Sequence, residues 1–457
     1  MSLPEGWDPP ELARAQNLAA RIRGNGDARI IAARAPGRVN LIGEHTDYSN
    51  LPVLPVAIDR STIVVAAAKS TGEVEAANAD SAWPRRRFTI ERQIPPYATG
   101  DWANYVKAAV QGVLDRFSAR TNWLGATVMV DGRVPPAAGL SSSAALTVST
   151  AMAFMAVNNL ELDPLEIAAM VARSEWYVGT RAGGMDQAAS ILGRRDHALF
   201  IEFAPLRARP VKMPPNAALV VADSREIADK SGKVRAEYNR RVVECSLAAR
   251  ILGRALKLEN VKILGDVVRS LPQRDAQDLL ARLGSAAPAR LGADLKEAAK
   301  ILGVAQPALD SELLGTGANR IALADNRLLE ILKRARHVLS ETDRVIRATS
   351  ALESARLEEM GELMNASHAS LADDFECSTP RLDALVQCAL HAGAQGARLT
   401  GAGFGGSIVA LCTASSANAV IESIDHEYYA KLFPATPPDN SRAILHAGPG
   451  ASVIELP

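Results

Sequence analysis

The stretch Val134–Ala145, which reads VPPAAGLSSSAA, organises the rest of this chain. Two prolines stiffen the approach, small residues let the backbone come close to a ligand, and three serines follow Gly139 and Leu140. Leu146–Leu160 is rich in Ala, Leu and Met, which predicts a buried helix after the loop. The free N–H groups and positive dipole end at such a helix start bind phosphate well. An ordinary loop-to-helix junction with serine caps explains the stretch equally.

The composition indicates a globular protein of about two or three domains. The chain has 457 residues, of which 48% are hydrophobic, enough for sizeable cores. Its 51 basic and 51 acidic side chains balance, so we expect neither nucleic acid nor an anionic membrane as a partner. Its 4 cysteines form no CxxC pair, which argues against a zinc site or disulfide scaffold and fits a reducing cytoplasm. No exposed heptad or dominant apolar surface run points to a particular oligomeric state.

Helical and strand-like patterns lie on both sides of Val134–Ala145. We predict a strand over Arg29–Ala35, two strands or one bent strand over Val53–Ala68, a helix over Trp102–Phe117, a strand over Ala126–Val130, and a helix from Asp163-Pro164 to about Val178. A second region begins near Ala217, and Asn260–Ala324 reads as a helical subdomain without a chemical motif.

Glu175 lies on the buried side of its predicted helix, four residues after Val171. A buried carboxylate is costly unless it is paired or holds a metal. Two interpretations of Glu175 are therefore open. It could lie at the rim of the core and pair with an arginine, or it could be a metal ligand.

Three known nucleotide-binding patterns are excluded. Gly401, Gly403 and Gly406 fit the letters GxGxxG, but the β-type run SIVALC follows, where a dinucleotide-binding fold requires a helix. A Walker A sequence and the protein-kinase HRD and DFG motifs are also absent from the sequence. If the chain handles ATP, it does so by another route.

Two polar stretches could carry chemistry. Arg38–Tyr48 reads RVNLIGEHTDY, and its carboxylates could accept hydroxyl groups from a polyhydroxylated substrate. A polar surface turn is the alternative, although the apolar pair Leu41-Ile42 favours an anchored site. Gly183–Gln187 reads GGMDQ and places Asp186 after a glycine pair, either as a general base or as a turn residue.

Taken together, these stretches resemble the ordered motif set of the galactokinase family, within the GHMP superfamily of small-molecule kinases. The matching stretches are RVNLIGEHTDY (Arg38–Tyr48), PPAAGLSSSAA (Pro135–Ala145), GGMDQ (Gly183–Gln187) and LTGAGFGGS (Leu399–Ser407). Two more, IEFAPLRA (Ile201–Ala208) and GELMNASH (Gly361–His368), are similar to the branch that includes N-acetylgalactosamine kinases.

The resemblance implies a role for each matching residue. Asp186 matches the catalytic aspartate and Arg38 the arginine beside it. The sugar-contacting positions are Glu44, His45, Asp47, Gly183 and Tyr238. The nucleotide-binding positions are Trp102 near the adenine, Gly139, Leu140, Ser141 and Ser142 around the phosphates, and Gly403 and Gly405 from the other domain. Ser143 and Glu175 match the magnesium ligands.

The family resemblance also implies a fold and an activity. The fold is α+β, a two-lobed GHMP-kinase fold with the active site in the cleft between the lobes. The N-terminal domain would span 1–215 and the C-terminal domain 216–457, with a helical insertion at about 260–324. With ATP and Mg²⁺ as cofactors, the chain would phosphorylate the anomeric C1 hydroxyl of galactose, its small-molecule sugar substrate, to give galactose 1-phosphate and ADP. The alternatives are an N-acetylgalactosamine 1-kinase and a non-catalytic regulator that binds sugar and ATP.

The chain departs from the family pattern in three places. Ser49-Asn50-Leu51-Pro52 stands where Asn-Gly-Gly often follows the DY pair, close to the sugar, so the choice between galactose and N-acetylgalactosamine stays open. Ala137-Ala138 replaces frequent glycines of the phosphate loop, and the N-acetylgalactosamine kinase branch also has small residues there. Ser407 replaces a common cysteine, which we expect to be neutral.

Overall fold

The computed structural model describes residues 3–23, 29–179, 183–227, 233–273, 275–316, 320–321, 323, 327–435 and 441–457. The helices in these ranges are α1 Pro9–Ile22, α2 Ala103–Arg116, α3 Ser142–Val157, α4 Pro164–Ser174, α5 Met185–Leu192, α6 Lys233–Ala255, α7 Leu264–Ser270, α8 Ala276–Ala286, α9 Lys296–Leu302, α10 Gln306–Leu314, α11 Ile331–Glu353, α12 Leu357–Asp373, α13 Pro380–His391, α14 Ala417–Ile424 and α15 Ala430–Leu432. The strands are β1 Ile30–Asn40, β2 Pro55–Lys69, β3 Glu73–Asn78, β4 Arg86–Thr89, β5 Gly125–Gly132, β6 His197–Phe203, β7 Leu206–Lys212, β8 Ala217–Asp223, β9 Gly396–Thr400, β10 Ser407–Thr413, β11 Arg442–Leu445 and β12 Ser452–Leu456.

The first sheet has six strands in the order β12-β1-β2-β5-β3-β4. Side chains alternate between its faces, so Ile31 and Ala33 pack with α2 and α3, whereas Ile30 and Ala32 pack with α1. Of the two interpretations of Val53–Ala68, the single strand is confirmed: β2 is continuous, and its pairing with β1 shifts register between Pro36 and Arg38.

The second sheet has four strands in the order β11-β8-β10-β9. Strands β9 and β10 are antiparallel and are joined by the glycine turn, Gly401–Gly406. This confirms that the GxGxxG letters do not mark a dinucleotide-binding fold, since a strand follows them. An apolar cluster that includes Val39, Leu219 and Val409 connects the two sheets.

The loop Val134–Ser141, here called the serine loop, joins β5 to α3. The predicted helix after it is confirmed, because α3 runs from Ser142 to Val157 with most of its residues buried. Asp163 accepts the N–H of Leu165 at 2.9 Å and begins α4, as its position before a proline predicts. No helix in the described part of the chain has the length and apolarity that crossing a bilayer requires.

The division into two domains at residue 215 stays a prediction, with one correction at its end. Strand β12 pairs antiparallel with β1, with Leu456 opposite Ile30. The last strand therefore lies in the first sheet, and the segment 216–457 does not form one contiguous unit. Sequence patterns could not show this, because a strand does not specify its partner over such a distance.

The helical region at about 260–324 contains α7 to α10 in its described part, while residues 274, 317–319, 322 and 324 lie outside the described residues. Its apolar side chains join the core of α6 and α11. Helix α7 also reaches the loop that departs from the family pattern. Arg269 Nη1 donates to the Asn50 carbonyl at 3.3 Å, and a Cβ on Gly265 would lie 2.2 Å from the Ser49 carbonyl oxygen.

This close approach predicts opposite effects for two glycine-to-alanine changes. We expect Gly265→Ala to lower the free energy of unfolding by about 1–3 kcal/mol, because the new methyl group collides with the Ser49 backbone. Gly284→Ala, in α8 with nothing within 4 Å of its Cβ position, should raise it by up to about 1 kcal/mol. Urea denaturation of both variants measures this. Equal effects would contradict the contact between α7 and this loop.

Candidate active site

A buried ion pair joins the end of β1 to the start of α5. Arg38 Nε donates to Asp186 Oδ1 at 2.7 Å, and the side chains are 3% and 13% exposed. Arg38 Nη1 also donates to the Gly139 carbonyl at 2.7 Å, and the Arg38 N–H donates to the Leu140 carbonyl at 3.1 Å. One arginine thus holds a carboxylate and the serine loop in fixed positions.

At the end of the serine loop, the backbone conformation leaves the Ser141 hydroxyl available to bind a ligand. Gly139 and Ser141 both have left-handed backbone angles, with φ of 76° and 61°. The Ser141 hydroxyl makes no capping bond to α3 and, among the described residues, has no hydrogen-bond partner although it is buried. The structure therefore argues against the simple serine-cap interpretation for Ser141. A buried hydroxyl of this kind complements an oxygen-rich ligand. Ser142 and Ser143 follow, half-buried, in the first turn of α3.

The glycine turn lies directly against the serine loop. A Cβ on Gly401 would lie 2.9 Å from the Gly139 carbonyl oxygen, and one on Gly406 would lie 3.3 Å from Ala138. The predicted pair Gly403 and Gly405 instead backs onto other segments: Cβ atoms there would lie 2.4 Å from the Cys377 carbonyl oxygen and 2.5 Å from that of Glu226. The nucleotide contact of Gly403 and Gly405 stays a prediction, and Gly401 and Gly406 are the glycines of this turn that lie against the serine loop.

The polar motif (Arg38–Tyr48) meets the start of α5 at Asp47. Gly183 approaches so closely that a Cβ there would lie 2.4 Å from the Asp47 carbonyl carbon. The Met185 N–H donates to Asp47 Oδ2 at 3.4 Å. Burial, aided by the nearby Asp186 charge, raises the pKa of Asp47 to about 6. The structure thus brings Asp47, Gly183 and Asp186 together, as the motif match predicts.

His45 presents an unused acceptor. Its ring stacks on Phe375 with centroids 4.3 Å apart, and its Nε2 lies 3.1 Å from the Ala402 carbonyl oxygen. Because a carbonyl only accepts, Nε2 carries the proton and Nδ1 is left as an acceptor. Nδ1 is buried and has no partner in the described part of the chain. Burial holds the pKa of His45 well below its ordinary range, so the ring stays neutral.

Glu44 ties the polar motif to the second sheet. It is 1% exposed. Its Oε1 accepts the Gly401 N–H at 2.5 Å, and its Oε2 accepts from Arg398 Nη1 at 3.2 Å and from Asn40 Nδ2. Burial raises the pKa of Glu44, while the Arg398 and Arg38 charges oppose that shift. The contact of Glu44 with a sugar stays a prediction. These bonds do not exclude it, because a carboxylate oxygen can accept a further hydrogen bond.

Tyr238 on α6 lies beside His45 and Tyr48, and the centroid of its ring is 5.5 Å and 5.9 Å from the centroids of theirs. Burial, followed by the charges of Asp47, Asp186 and Glu175, raises the pKa of Tyr238 well above its ordinary value. The charge of Glu175 thus acts on the same tyrosine as the charges of Asp47 and Asp186. The predicted burial of Glu175 is confirmed, because it is 4% exposed.

Comparisons with known proteins agree with this geometry. Three family models match the chain: the galactokinase galactose-binding signature over residues 23–68, the GHMP kinases N terminal domain over 104–194, and the GHMP kinases C terminal over 348–431. A galactokinase of Dictyostelium discoideum is 33% identical to this chain, and the match covers 89% of this chain and 86% of that protein. The chain belongs to the galactokinase family.

Solved structures show the same fold. The galactokinase of Lactococcus lactis, complexed with galactose, matches 96% of this chain and 99% of its own with a TM-score of 0.74 and 25% identity. The L. major mevalonate kinase, in complex with R-mevalonate, matches 94% of this chain and 99% of its own with a TM-score of 0.55 and 17% identity. The expected two-lobed α+β fold is therefore confirmed.

The adenine contact of this galactokinase-family chain stays a prediction. Trp102 precedes α2 in the core of the first sheet, and it is 7% exposed. Its Nε1 donates to the Pro84 carbonyl at 2.9 Å. Only a small part of Trp102 is therefore open to a ligand.

The raised pKa of Asp47 predicts how stability varies with pH. Because the native state holds this proton up to about pH 6 and the unfolded chain only up to its ordinary pKa of 3.8, the free energy of unfolding falls as pH rises through that window. The two pKa values correspond to about 3 kcal/mol. We expect Asp47→Asn to remove this decline. Urea denaturation of both proteins at pH 4, 5, 6 and 7 measures it, and parallel pH profiles would contradict the shift.

Proposed function

We propose that this protein transfers the γ-phosphoryl group of ATP to the C1 hydroxyl of galactose, giving galactose 1-phosphate and ADP. The observation that carries the proposal is the ion pair between Arg38 and Asp186, because Arg38 also bonds to Gly139 of the serine loop. The acceptor carboxylate and the phosphate-binding backbone therefore share one guanidinium. The similarity to the galactokinases of Dictyostelium discoideum and Lactococcus lactis supports galactose as the sugar.

The groups around Asp186 suit a sugar with several hydroxyls. Asp47 offers carboxylate oxygens and His45 offers Nδ1, and both lie in a buried setting. His45 Nδ1 is a buried acceptor without a partner among the described residues, which costs free energy. The Asp47 oxygens already accept the Tyr48 and Met185 N–H groups and can each accept a further bond, so hydroxyl donors from galactose complement all three atoms. Binding should consequently discriminate against sugars whose hydroxyls point elsewhere.

In the reaction, Asp186 accepts or orients the proton of the C1 hydroxyl while that oxygen bonds to the γ-phosphorus and ADP departs. Arg38 holds the carboxylate in place and stabilises the negative charge that develops on the transferred group. The N–H groups of the serine loop and the start of α3 bind the phosphates. Phosphoryl transfer depends mainly on such positioning and charge stabilisation.

Magnesium fits the residues that the family match assigns to it. Ser143 and Glu175 supply a hydroxyl and a carboxylate, the oxygen donors that Mg²⁺ prefers. The described part of the chain contains no cluster of three or more His, Cys, Asp or Glu side chains suited to a metal. Mg²⁺ commonly binds through one or two protein oxygens together with substrate phosphates, so the two side chains are enough to hold it. When bound, Mg²⁺ would neutralise charge on the β- and γ-phosphates.

Replacement of the acceptor carboxylate tests the proposed function. We expect the wild type to release ADP when galactose and Mg·ATP are supplied, and Asp186→Asn to lower kcat by about 10²–10⁴-fold. Galactose binding, measured by calorimetry, should change little, because the amide keeps the shape of the carboxylate.

Asp59→Asn is the matched control, since Asp59 is exposed on β2 and belongs to none of the motifs. Its kcat should equal that of the wild type. Near-normal turnover by Asp186→Asn would contradict the role of Asp186, and a wild type that releases no ADP with galactose would contradict the proposed function.

A further inference from the structure

One face of α11 lies against the polar motif. His337, Glu341 and Val345 follow one another at intervals of four residues, so their side chains share a face of the helix. All three are fully buried. Val345 packs against Gly43 so closely that a Cβ on Gly43 would lie 2.9 Å from Val345 Cγ2. The face thus reaches the residue that precedes Glu44.

Glu341 binds the backbone of the polar motif directly. Its Oε1 accepts the Gly43 N–H at 2.8 Å and the Ser367 hydroxyl at 2.6 Å, and its Oε2 accepts from Arg344 Nε at 2.6 Å. Burial alone would raise the pKa of Glu341, but the charge of Arg344 outweighs it with the help of His337, Arg398 and the Ser367 bond, and brings that pKa to about 2. The carboxylate is therefore ionised whenever the protein is folded near neutral pH.

His337 binds a backbone carbonyl of the same motif. Its Nε2 lies 3.0 Å from the Glu44 carbonyl oxygen, and its Nδ1 lies 2.9 Å from the Ser370 hydroxyl. The carbonyl requires a donor, so Nε2 carries the proton and Nδ1 accepts from Ser370. Burial lowers the pKa of His337 to about 4, which keeps this arrangement neutral and unchanged near pH 7.

The bound segment has a backbone that needs such support. Gly43 and His45 have φ angles of 102° and 64°, both in the left-handed region. For a residue with a side chain, such as His45, this conformation costs free energy and persists only where surrounding contacts hold it. The bonds at the Gly43 N–H and the Glu44 carbonyl lie on either side of Glu44, and the second directly precedes His45.

We propose that Glu341 and His337 are positioning residues for sugar binding: they hold the Gly43–His45 backbone so that His45 Nδ1 and the carboxylates of the motif face the substrate. An apolar pair on the same face would leave the buried Gly43 N–H and Glu44 carbonyl without partners, so the polar side chains act on this backbone segment in particular. This inference rests on the proposed function.

The test compares Glu341→Gln with the wild type in two measurements. The variant keeps an oxygen for the Gly43 N–H but places an amide N–H₂ group against Arg344. We expect hydrogen exchange of the Gly43 amide to accelerate by about tenfold or more, and KM for galactose to rise about five- to twentyfold, as the loss of a charge-assisted hydrogen bond implies. KM for ATP should stay within about twofold, because the serine loop is not altered.

Glu11→Gln is the matched control. Glu11 accepts hydrogen bonds from the buried Arg14 and from the Ser61 hydroxyl, the latter at 2.7 Å. It lies on α1, which packs on the opposite face of the first sheet from α2 and α3. It therefore loses a comparable carboxylate without touching the polar motif, and both KM values should equal those of the wild type. If Glu341→Gln does not fold, Ser367→Ala replaces it, with an expected rise of about threefold in KM for galactose alone.

The outcomes separate this inference from the proposed function. A wild type that releases no ADP with galactose overturns the proposed function. An active wild type whose Glu341→Gln or, failing that, Ser367→Ala variant raises KM for both substrates equally, or for neither, overturns the positioning role. A selective rise in KM for galactose, together with faster exchange at Gly43, supports it.

Discussion

The candidate active site depends on the burial of one cation, the Arg38 guanidinium. A buried charge is tolerated only where several partners surround it. For Arg38 these are the Asp186 carboxylate and the Gly139 carbonyl, and its backbone N–H is bonded to Leu140 as well. The end of β1, the serine loop and the start of α5 therefore cannot move independently. In a phosphotransferase this constraint fixes the distance between the acceptor carboxylate and the phosphates. Most of the rate enhancement originates from such positioning.

A second layer of buried polar contacts holds this arrangement from the other half of the chain. Glu44 is bonded to Arg398 and to the Gly401 N–H, so the glycine turn and the polar motif are parts of one network. Helix α11 adds Glu341 and His337 behind that network. The helical region contributes through α7, which packs on the Ser49–Asn50 backbone. The loop that differs from the family pattern is thus supported by an element with no catalytic motif of its own.

Local signals predicted much of the fold and of the candidate site. The apolar spacing around Val171 correctly placed Glu175 on a buried face, and the small residues before Ser142 correctly marked the start of α3. The partners of Glu44 and the positions of Gly401 and Gly406 depend on long-range approach, which spacing does not encode. Glu341 was missed for the same reason: within the helical segment RARHVLSETDR it looks like an ordinary solvated carboxylate, and only the tertiary fold buries it against Gly43.

The central claim is that this site phosphorylates galactose, and a side-by-side rate measurement tests it most directly. ADP release should be followed with Mg·ATP and, separately, galactose, N-acetylgalactosamine and glucose as acceptors. The arrangement of Asp47, His45 and Asp186, with the family membership, predicts the highest kcat/KM for galactose. A higher kcat/KM for N-acetylgalactosamine would mean that the Ser49–Pro52 loop admits a larger group at the 2-position, and this would contradict galactose as the substrate. No ADP release with any of the three sugars would contradict the account as a whole.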